Sequence, residues 1–368
     1  MKAKSFFFWG TVCCCLFCFL QVGYPFYFYY AEQLRVFPLT WGCFEETCRQ
    51  PGGLACWLGG FLLQFYHLPF GGALVSTGLF LSAGVLMQRI CRQTVSSVFC
   101  YLAALLPILA LLPLHIDVNY RLQGTVAYCC MLVAFLFYVR VAVPWKRVLA
   151  GWLSTGVLFA LAGPVAALFV AGVVVREVLL REKGWQGCLA LPLGIVLMLW
   201  WSYRFSWQPE YRMVILPDFY YEPLLKTNKL CWAWLAFLSG LLVACLPVGK
   251  GRGVSGRVAW WWVVVQLLPL FVFLGWMKKR ENGIWLKNME LDYYVRGEQW
   301  DKVVDGYEAA VSDMRTLSLL NLALACRGEL GDKLFHYPQQ GKGGLLPEWD
   351  STVSGAIVLS DICYQIGD

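Results

Sequence analysis

The sequence predicts an all-α fold: a polytopic transmembrane helical bundle of about nine spans, followed by a small α-helical soluble region. Of the 368 residues, 59% are hydrophobic and only 14% are charged, whereas soluble domains carry roughly 25% charged residues. The apolar residues fall in runs of about 17 to 25, the length that crosses a hydrocarbon core about 30 Å thick. Because lipid offers the backbone no hydrogen bonds, each run is expected to be helical. From Lys278 onward the composition changes to that of a water-exposed region.

Residues 1–277 form the predicted membrane domain. Its first span is preceded by Lys2 and Lys4, and no small-residue cleavage site comes before the aromatic run at 24–30. We therefore interpret this span as a retained anchor whose outer end lies in an aromatic belt, not as a cleaved signal peptide. The predicted spans are residues 6–30, 70–87, 95–114, 123–139, 149–162, 165–175, 188–203, 230–248 and 258–277.

The stretch 149–175 allows two interpretations, because Gly163 and Pro164 divide it. It is either one long span kinked at the proline or a hairpin with these two residues at its tip. The hairpin places 13 lysines and arginines on the side of the N-terminus and 7 on the other side, which is the bias of the positive-inside rule. The basic residues at 278–280 disagree, since they would lie outside. We favour the hairpin, a cytoplasmic N-terminus and a periplasmic C-terminal domain in a bacterial inner membrane.

Most of these spans contain no Asp, Glu, Lys or Arg. Ionisable residues inside a membrane usually mark ion or proton pathways, so their scarcity argues against a proton-coupled transporter and an ion pump. Any chemistry is therefore expected at a membrane face, in one of two outer segments.

The first outer segment, residues 31–69, contains Glu45 and Glu46 among apolar residues. This pattern is typical of a helix that lies flat on the membrane, and a second short helix is predicted over residues 54–66. A carboxylate held at a membrane face can act as a general base or bind a metal, so Glu45 and Glu46 are the catalytic candidates. The alternative is that they form the water-facing side of an interfacial helix.

The second outer segment, residues 204–229, mixes charged and aromatic side chains. Arginine pairs well with phosphate, and aromatic rings stack on sugars or lie at headgroup depth. The segment is thus a candidate clamp for a lipid-linked phosphate, with an ordinary interfacial loop as the alternative. The candidate substrate-binding residues are Arg35 from the first segment and Arg212, Asp218, Tyr220 and Glu222 from the second.

Cysteine, histidine and basic residues point to no further site. The 16 cysteines lie mostly within spans, where cysteine behaves as a small hydrophobe, and no Cys/His spacing suggests zinc. The three histidines, His67, His115 and His336, are scattered and are interpreted as structural. The basic residues gather at span ends, so no nucleic-acid surface is expected.

Residues 278–368 are predicted to form a soluble domain of short helices, because apolar residues recur there at helical spacing. Gly297 marks the first turn, residues 336–349 form a Gly- and Pro-rich loop, and residues 351–366 form a further helix. The abrupt end after this helix suggests a truncated region. The apolar stripes are Leu291, Tyr294 and Val295; Trp300, Val303, Val304, Tyr307 and Ala310; and Leu319, Leu320, Leu322, Ala323 and Leu324.

These short helices resemble tetratricopeptide repeats, over about one and a half units and without the full signature. The whole chain resembles an uncharacterised family of bacterial multi-pass membrane proteins that carry such a C-terminal region. That family has no established activity, so the resemblance transfers no catalytic residue. The resemblance is carried by PGGLACWLGGFLLQFY at 51–66, LAGPVAALF at 161–169 and NLALACRGELGDKLFHYPQQGKGGLLPEWD at 321–350.

A looser resemblance, in architecture alone, is to the C-superfamily of lipid-sugar-dependent glycosyltransferases. Those enzymes have many spans, an acidic residue on a flat helix in the first outer loop, and often a soluble domain outside. Their usual residue in that loop is Asp, whereas this loop contains only Glu32, Glu45 and Glu46. Architecture alone does not fix function.

Three functions remain open. The first is an enzyme that transfers a sugar from a polyprenyl-phosphate carrier at the outer face, with Glu45 or Glu46 as base or metal ligand, Arg212 on the phosphate and a divalent cation as cofactor. The second is a non-catalytic assembly protein whose helical tail recruits a protein partner. The third is a transporter or lipid flippase, which the charge-free spans disfavour. Membrane lipid is an expected partner in all three.

Overall fold

A computed structural model describes residues 2–34, 37–94, 99–180, 185–204, 220, 229–245, 257–281, 283–349 and 353–367. Every regular element in this described part is a helix, which confirms the predicted all-α class. The α-helices are α1 (Lys2–Gly23), α2 (Pro25–Gln33), α3 (Trp41–Cys48), α4 (Gly53–Leu63), α5 (Gly71–Thr94), α6 (Cys100–His115), α7 (Leu122–Arg140), α8 (Pro144–Ala162), α9 (Ala166–Leu180), α10 (Trp185–Cys188), α11 (Leu191–Arg204), α12 (Leu230–Cys245), α13 (Arg257–Lys279), α14 (Gly283–Arg296), α15 (Trp300–Gly306), α16 (Met314–Cys326), α17 (Leu330–Lys333) and α18 (Val353–Ile366).

The chain divides into two compact units. The bundle unit contains Met1–Phe19 and Phe37–Met277, and the C-terminal unit contains Leu20–Val36 and Lys278–Asp368. The division between Met277 and Lys278 lies where the composition changes. The C-terminal unit also includes a second stretch, Leu20–Val36, which precedes most of the bundle in sequence.

Six helical stretches among the described residues are long and apolar enough to cross a membrane. Together with the apolar composition they indicate a membrane protein. These stretches are Ala3–Gly23, Gly71–Gln93, Leu122–Arg140, Pro144–Leu180, Gln186–Arg204 and Trp260–Lys279. The remaining apolar helices of the bundle unit are shorter: α6 and α12 have 16 residues each.

Helices α8 and α9 form an antiparallel hairpin, with the 3-10 turn Gly163–Val165 at its tip. The ion pair between Arg147 near the start of α8 and Glu177 near the end of α9, with Nη2 and Oε2 3.3 Å apart, establishes this geometry. In one continuous helix, residues 30 positions apart would be separated by roughly 45 Å. Pro144–Leu180 therefore consists of two antiparallel arms, with the fold that the hairpin interpretation predicts.

Small residues allow the helices of the bundle unit to pack closely, as is common in membrane bundles. Helix α5 packs against α6 and α7, α12 packs against α6 and α9, and α4 packs against α7 and α8. At Gly59 of α4, an added Cβ would lie 2.8 Å from the backbone nitrogen of Gln123. At Gly172 of α9 it would lie 2.6 Å from the Phe237 ring of α12.

The first predicted span is wrong at its outer end. Helix α1 ends at Gly23, and Pro25 occupies the first turn of a separate helix, α2. Proline is well suited to the start of a helix and poorly suited to its interior. The aromatic run therefore belongs to α2, where Phe26 lies 5.3 Å and Tyr29 4.8 Å from the Tyr293 ring of α14.

The C-terminal unit has its own hydrophobic core. The predicted apolar stripes supply most of it, and each fully buried aliphatic side chain contributes about 1.5–3 kcal/mol. The main core cluster consists of Leu291, Val295, Val303, Leu319, Leu322, Ala323, Val358 and Ile362. One detail differs, because α15 ends at Gly306 and Ala310 lies exposed in a short 3-10 turn, Ala309–Val311. The predicted turn at Gly297 and the predicted last helix are confirmed, the latter as α18.

Candidate functional site

The predicted catalytic residues Glu45 and Glu46 lie on α3. Thr40 caps this helix, since its hydroxyl accepts a hydrogen bond from the Cys43 backbone N–H at 3.3 Å. None of the α3 residues is buried. Both glutamates are exposed, and Arg49 Nη2 donates a hydrogen bond to Glu45 Oε1 at 2.9 Å. The arrangement is that of an amphipathic surface helix with both carboxylates on its exposed side.

Of the predicted substrate-binding residues, Arg35, Arg212, Asp218 and Glu222 lie outside the described residues. Tyr220 is described and is 1% exposed. Its hydroxyl donates a hydrogen bond to the Ala162 carbonyl, and its own carbonyl accepts from the Arg121 backbone N–H at 3.1 Å. Burial raises the pKa of Tyr220. The Tyr220 side chain therefore helps to hold the end of α8.

The two outer segments meet at the tip of the α8–α9 hairpin. From the first segment, the Gly52 backbone N–H donates to the Ala160 carbonyl at 3.0 Å. From the second segment, Tyr220 donates to the Ala162 carbonyl, so both segments use carbonyls that the end of α8 leaves without intrahelical partners. Lys229, at the end of the second segment, pairs with Asp117 at 2.5 Å. This region of the bundle unit is called the tip end below.

A buried polar network lies under the tip end. The Nε2 atom of His115 and the hydroxyl of Tyr120 lie 2.6 Å and 2.8 Å from the Thr125 hydroxyl, and the Tyr66 and Ser76 hydroxyls are 2.9 Å apart. All five side chains are buried. The first group joins α6 to α7, and the second joins α5 to the chain that precedes it, so the structural interpretation of His115 is supported. Within the described residues, no group of three or more His, Cys, Asp or Glu side chains could hold a metal ion.

A second polar site lies at the opposite end of the hairpin, and the sequence interpretation missed it. Glu177 is fully buried, and Arg147 and Arg176 are 3% and 4% exposed. Glu177 Oε1 accepts from Arg176 Nη1 at 2.5 Å and from the Tyr138 hydroxyl at 3.0 Å. The Tyr138 hydroxyl also lies 3.3 Å from the Cys188 Sγ atom. We call these five residues the hairpin-base cluster.

Arg147 and Arg176 are two of the 13 basic residues that the hairpin interpretation assigns to loops on the side of the N-terminus, and the hairpin-base cluster corrects this assignment. They belong to α8 and α9, and the carboxylate between them offsets the cost of burying them. The signal in the sequence was Glu177 itself, an acidic residue directly after Arg176 in the apolar run VVVREVLL.

The third candidate site is a cavity of about 540 Å³ in the C-terminal unit. Its wall includes Met314 and Arg315 at the start of α16, Lys342 and Gly343 from the Gly- and Pro-rich loop, and Gly355 and Val358 of α18. Asp313 caps α16 with its side chain, and Thr316 completes a capping box. Asn321 fixes the loop, since its Nδ2 atom donates to the Gln339 Oε1 atom and the Gly344 carbonyl, both at 2.9 Å.

Large apolar side chains are exposed in the segment 335–349, part of which lines this cavity. Phe335 is 85% exposed, Trp349 65% and Leu346 50%. Soluble surfaces rarely leave several large apolar groups together without a binding role. The sequence identified residues 336–349 only as a Gly- and Pro-rich loop.

Comparison with protein families matches residues 1–368 to one family of unknown function. No curated protein and no solved structure matches the chain. The match covers every element described above, the bundle unit as well as the C-terminal unit. The chain therefore belongs to the family of unknown function DUF6057.

Proposed function

We propose that the protein is a membrane-anchored assembly protein whose C-terminal unit binds a protein partner. The observation that carries this proposal is the exposure of large apolar side chains in the segment 335–349, with Phe335 at 85% and Trp349 at 65% exposure. The C-terminal unit has a core of its own to which these exposed side chains do not contribute. Aromatic residues are enriched in protein interfaces. The predicted catalytic carboxylates, by contrast, are exposed on α3.

The tetratricopeptide-like character of this unit is part of the proposal. Helices α14, α15 and α16 pack on one another in sequence order, as helices of stacked repeats do. Repeats of this kind commonly present a surface to a protein ligand, and one or two units alone are poorly stable. A partner would supply the apolar contacts that more repeats provide in longer arrays.

The membrane part of the proposal is a bundle of nine crossings in a bacterial inner membrane. The crossings are α1, α5, α6, α7, α8, α9, α11, α12 and α13. The hairpin supports this count, since it divides the longest apolar stretch into two arms. An odd number of crossings places the C-terminus in the periplasm if the N-terminus is cytoplasmic. Membrane lipid is then the partner of the bundle unit.

The partner-binding proposal is tested by photocrosslinking of the full-length chain in native membranes. A benzophenone amino acid replaces Phe335 in one variant and Asp305, an exposed residue of α15, in the control. We expect a discrete protein adduct at position 335 and none at position 305. Lipid adducts alone at 335, or the same adducts at both positions, would contradict a specific protein partner.

A second candidate is the lipid-sugar-dependent glycosyltransferase, which the meeting of the two outer segments at the tip end favours. In this candidate Glu45 or Glu46 serves as base or as ligand of a divalent cation, and Arg212, Asp218 and Glu222 bind a polyprenyl-phosphate-linked sugar.

The enzyme candidate is tested by Glu46→Gln, with Glu308→Gln of the C-terminal unit as an exposed control. The first variant should lose a cell-surface glycan while it still inserts and folds, and the control should retain that glycan. A normal glycan profile in Glu46→Gln and in Glu45→Gln removes this candidate.

A further inference from the structure

Two carboxylates lie between the last helix of the C-terminal unit and its core. Asp292 on α14 is 2% exposed, and Asp361 on α18 is half-buried. Their neighbours in sequence, Leu291 on α14 and Ile362 on α18, belong to the same core cluster. Both carboxyl groups therefore adjoin the core cluster to which α18 contributes.

The hydrogen bonding of the two carboxyl groups is incomplete. The Oδ2 atom of Asp292 accepts from Gln33 Nε2 at 2.8 Å and lies 3.5 Å from Arg296 Nε. Asp292 Oδ1 and Asp361 Oδ2 are both buried, and neither has a hydrogen-bond partner within the described part of the chain. A carboxylate can only accept hydrogen bonds, whereas a protonated carboxyl group also donates one. Protonation of either carboxyl group removes its buried negative charge and adds a hydrogen-bond donor that the carboxylate lacks.

The positive charge that acts on the two carboxylates is smaller than their combined negative charge. Arg296 is the cation that acts on both carboxylates, and Asp361 acts on Asp292 as a like charge. Helix α2 contributes the neutral Gln33, and α15 and α16 contribute Val303 and Leu319 to the adjoining core. Burial is the largest cause that raises the pKa of Asp292 to about 6, against the opposing effects of Gln33 and Arg296. Burial also raises the pKa of Asp361.

The sign of the resulting pH dependence is opposite to that of an ordinary ion pair. Asp292 binds its proton more tightly in the docked state, with a pKa of about 6, than when exposed, with a pKa near 3.8. Docking is therefore favoured by protons. The stabilisation of the docked α18 by the raised pKa of Asp292 is fully present below about pH 4 and is lost as the pH rises through about 6.

We infer that Asp292 and Asp361 form a pH-sensitive latch, which holds α18 in the wall of the cavity when a carboxyl group of the pair is protonated. Helix α18 supplies Gly355 and Val358 to that wall. When the pair is protonated, α18 stays packed on the core and the cavity keeps its described form. Loss of the proton weakens the packing of α18. The regulatory meaning of the latch rests on the proposed partner function, but the latch itself involves the C-terminal unit alone.

The test is hydrogen–deuterium exchange of the full-length chain in lipid nanodiscs, without any partner, at pH 5 and pH 7. After correction for the intrinsic exchange rate, we expect the opening of α18 to be about tenfold less frequent at pH 5, from the two pKa values of Asp292. Asp292→Asn retains the shape of the protonated acid, so its α18 should open rarely at both pH values. The control Asp332→Asn changes an exposed residue of α17 and should respond as the unaltered chain does.

Two results would overturn the latch: equal opening of α18 at both pH values in the unaltered chain, or a full pH response in Asp292→Asn. If Asp292→Asn does not fold, Asp361→Asn makes the same prediction, because its amide also supplies a donor. Peptides from α16 show whether a change is local to α18. If no protein adduct forms at position 335 but α18 shows the expected pH-dependent exchange, the proposed partner function is wrong and the latch is still supported.

Discussion

At the scale of single residues, the hairpin-base cluster shows how an apolar bundle accommodates charge. Glu177 is fully buried and has two arginines and a tyrosine hydroxyl as partners. Each partner comes from a different position: Tyr138 from α7, Arg147 from α8, and Arg176 from α9. A charge buried without a partner is far more costly than a paired one. Glu177 therefore connects α7, α8 and α9. Without its carboxylate, the polar contacts that it makes with Tyr138, Arg147 and Arg176 are lost together.

We predict that Glu177→Ala destabilises the protein by about 3–5 kcal/mol, because it leaves two guanidinium groups buried without their carboxylate. The matched control is Glu45→Ala, which removes an exposed ion pair with Arg49 and should cost less than about 1 kcal/mol. Thermal unfolding and size-exclusion profiles of the full chain in detergent measure both. Equal losses in the two variants would show that the cluster has no special structural role.

The same scale shows what the sequence could not reveal. Glu45 and Glu46 were chosen because they are acidic residues in an apolar loop, but whether a carboxylate lies in a pocket depends on distant elements. Glu177 was overlooked, and Arg176 was counted among the loop cations, because charged residues were expected only outside the apolar spans. The partners of Glu177 on other helices, Arg147 and Tyr138, are 30 and 39 positions away, and no local pattern links them.

At the scale of elements, turns and breaks were predictable where a residue imposes them. Gly163 and Pro164 indicated the hairpin tip, and Gly297 indicated the end of α14. Pro25 gave an equally clear signal for the start of α2, but the length of the apolar run before it favoured one long span. The end of α15 at Gly306 was missed because the apolar spacing continues to Ala310 without a break.

The hairpin makes a prediction about topology. If both arms cross the membrane, reporter fusions after Val143 and after Leu180 report the same side, and a fusion at the C-terminus reports the other side. Paired alkaline phosphatase and green fluorescent protein fusions measure this, with the phosphatase active only in the periplasm. Opposite sides for Val143 and Leu180 would mean that the hairpin crosses only once.

At the scale of the whole molecule, the amino-acid composition was sufficient to predict the fold class. The excess of apolar residues predicted an α-helical membrane protein, and the change at Lys278 coincides with the boundary between the two compact units. The inclusion of Leu20–Val36 in the C-terminal unit was not predictable, since it depends on aromatic contacts between α2 and α14. The argument that charge-free spans disfavour transport also loses force, because α8 and α9 contain buried charges.

The chain order of the hairpin-base cluster also bears on how the protein is made. A ribosome synthesises Tyr138 and Arg147 before it reaches Glu177, and Arg176 is joined immediately before. When the acidic residue enters the membrane, its neutralising groups have therefore already been made. Glu177 alone in lipid would oppose insertion of α9. The second arm of the hairpin is thus expected to enter the bilayer together with the first, as one inserted unit.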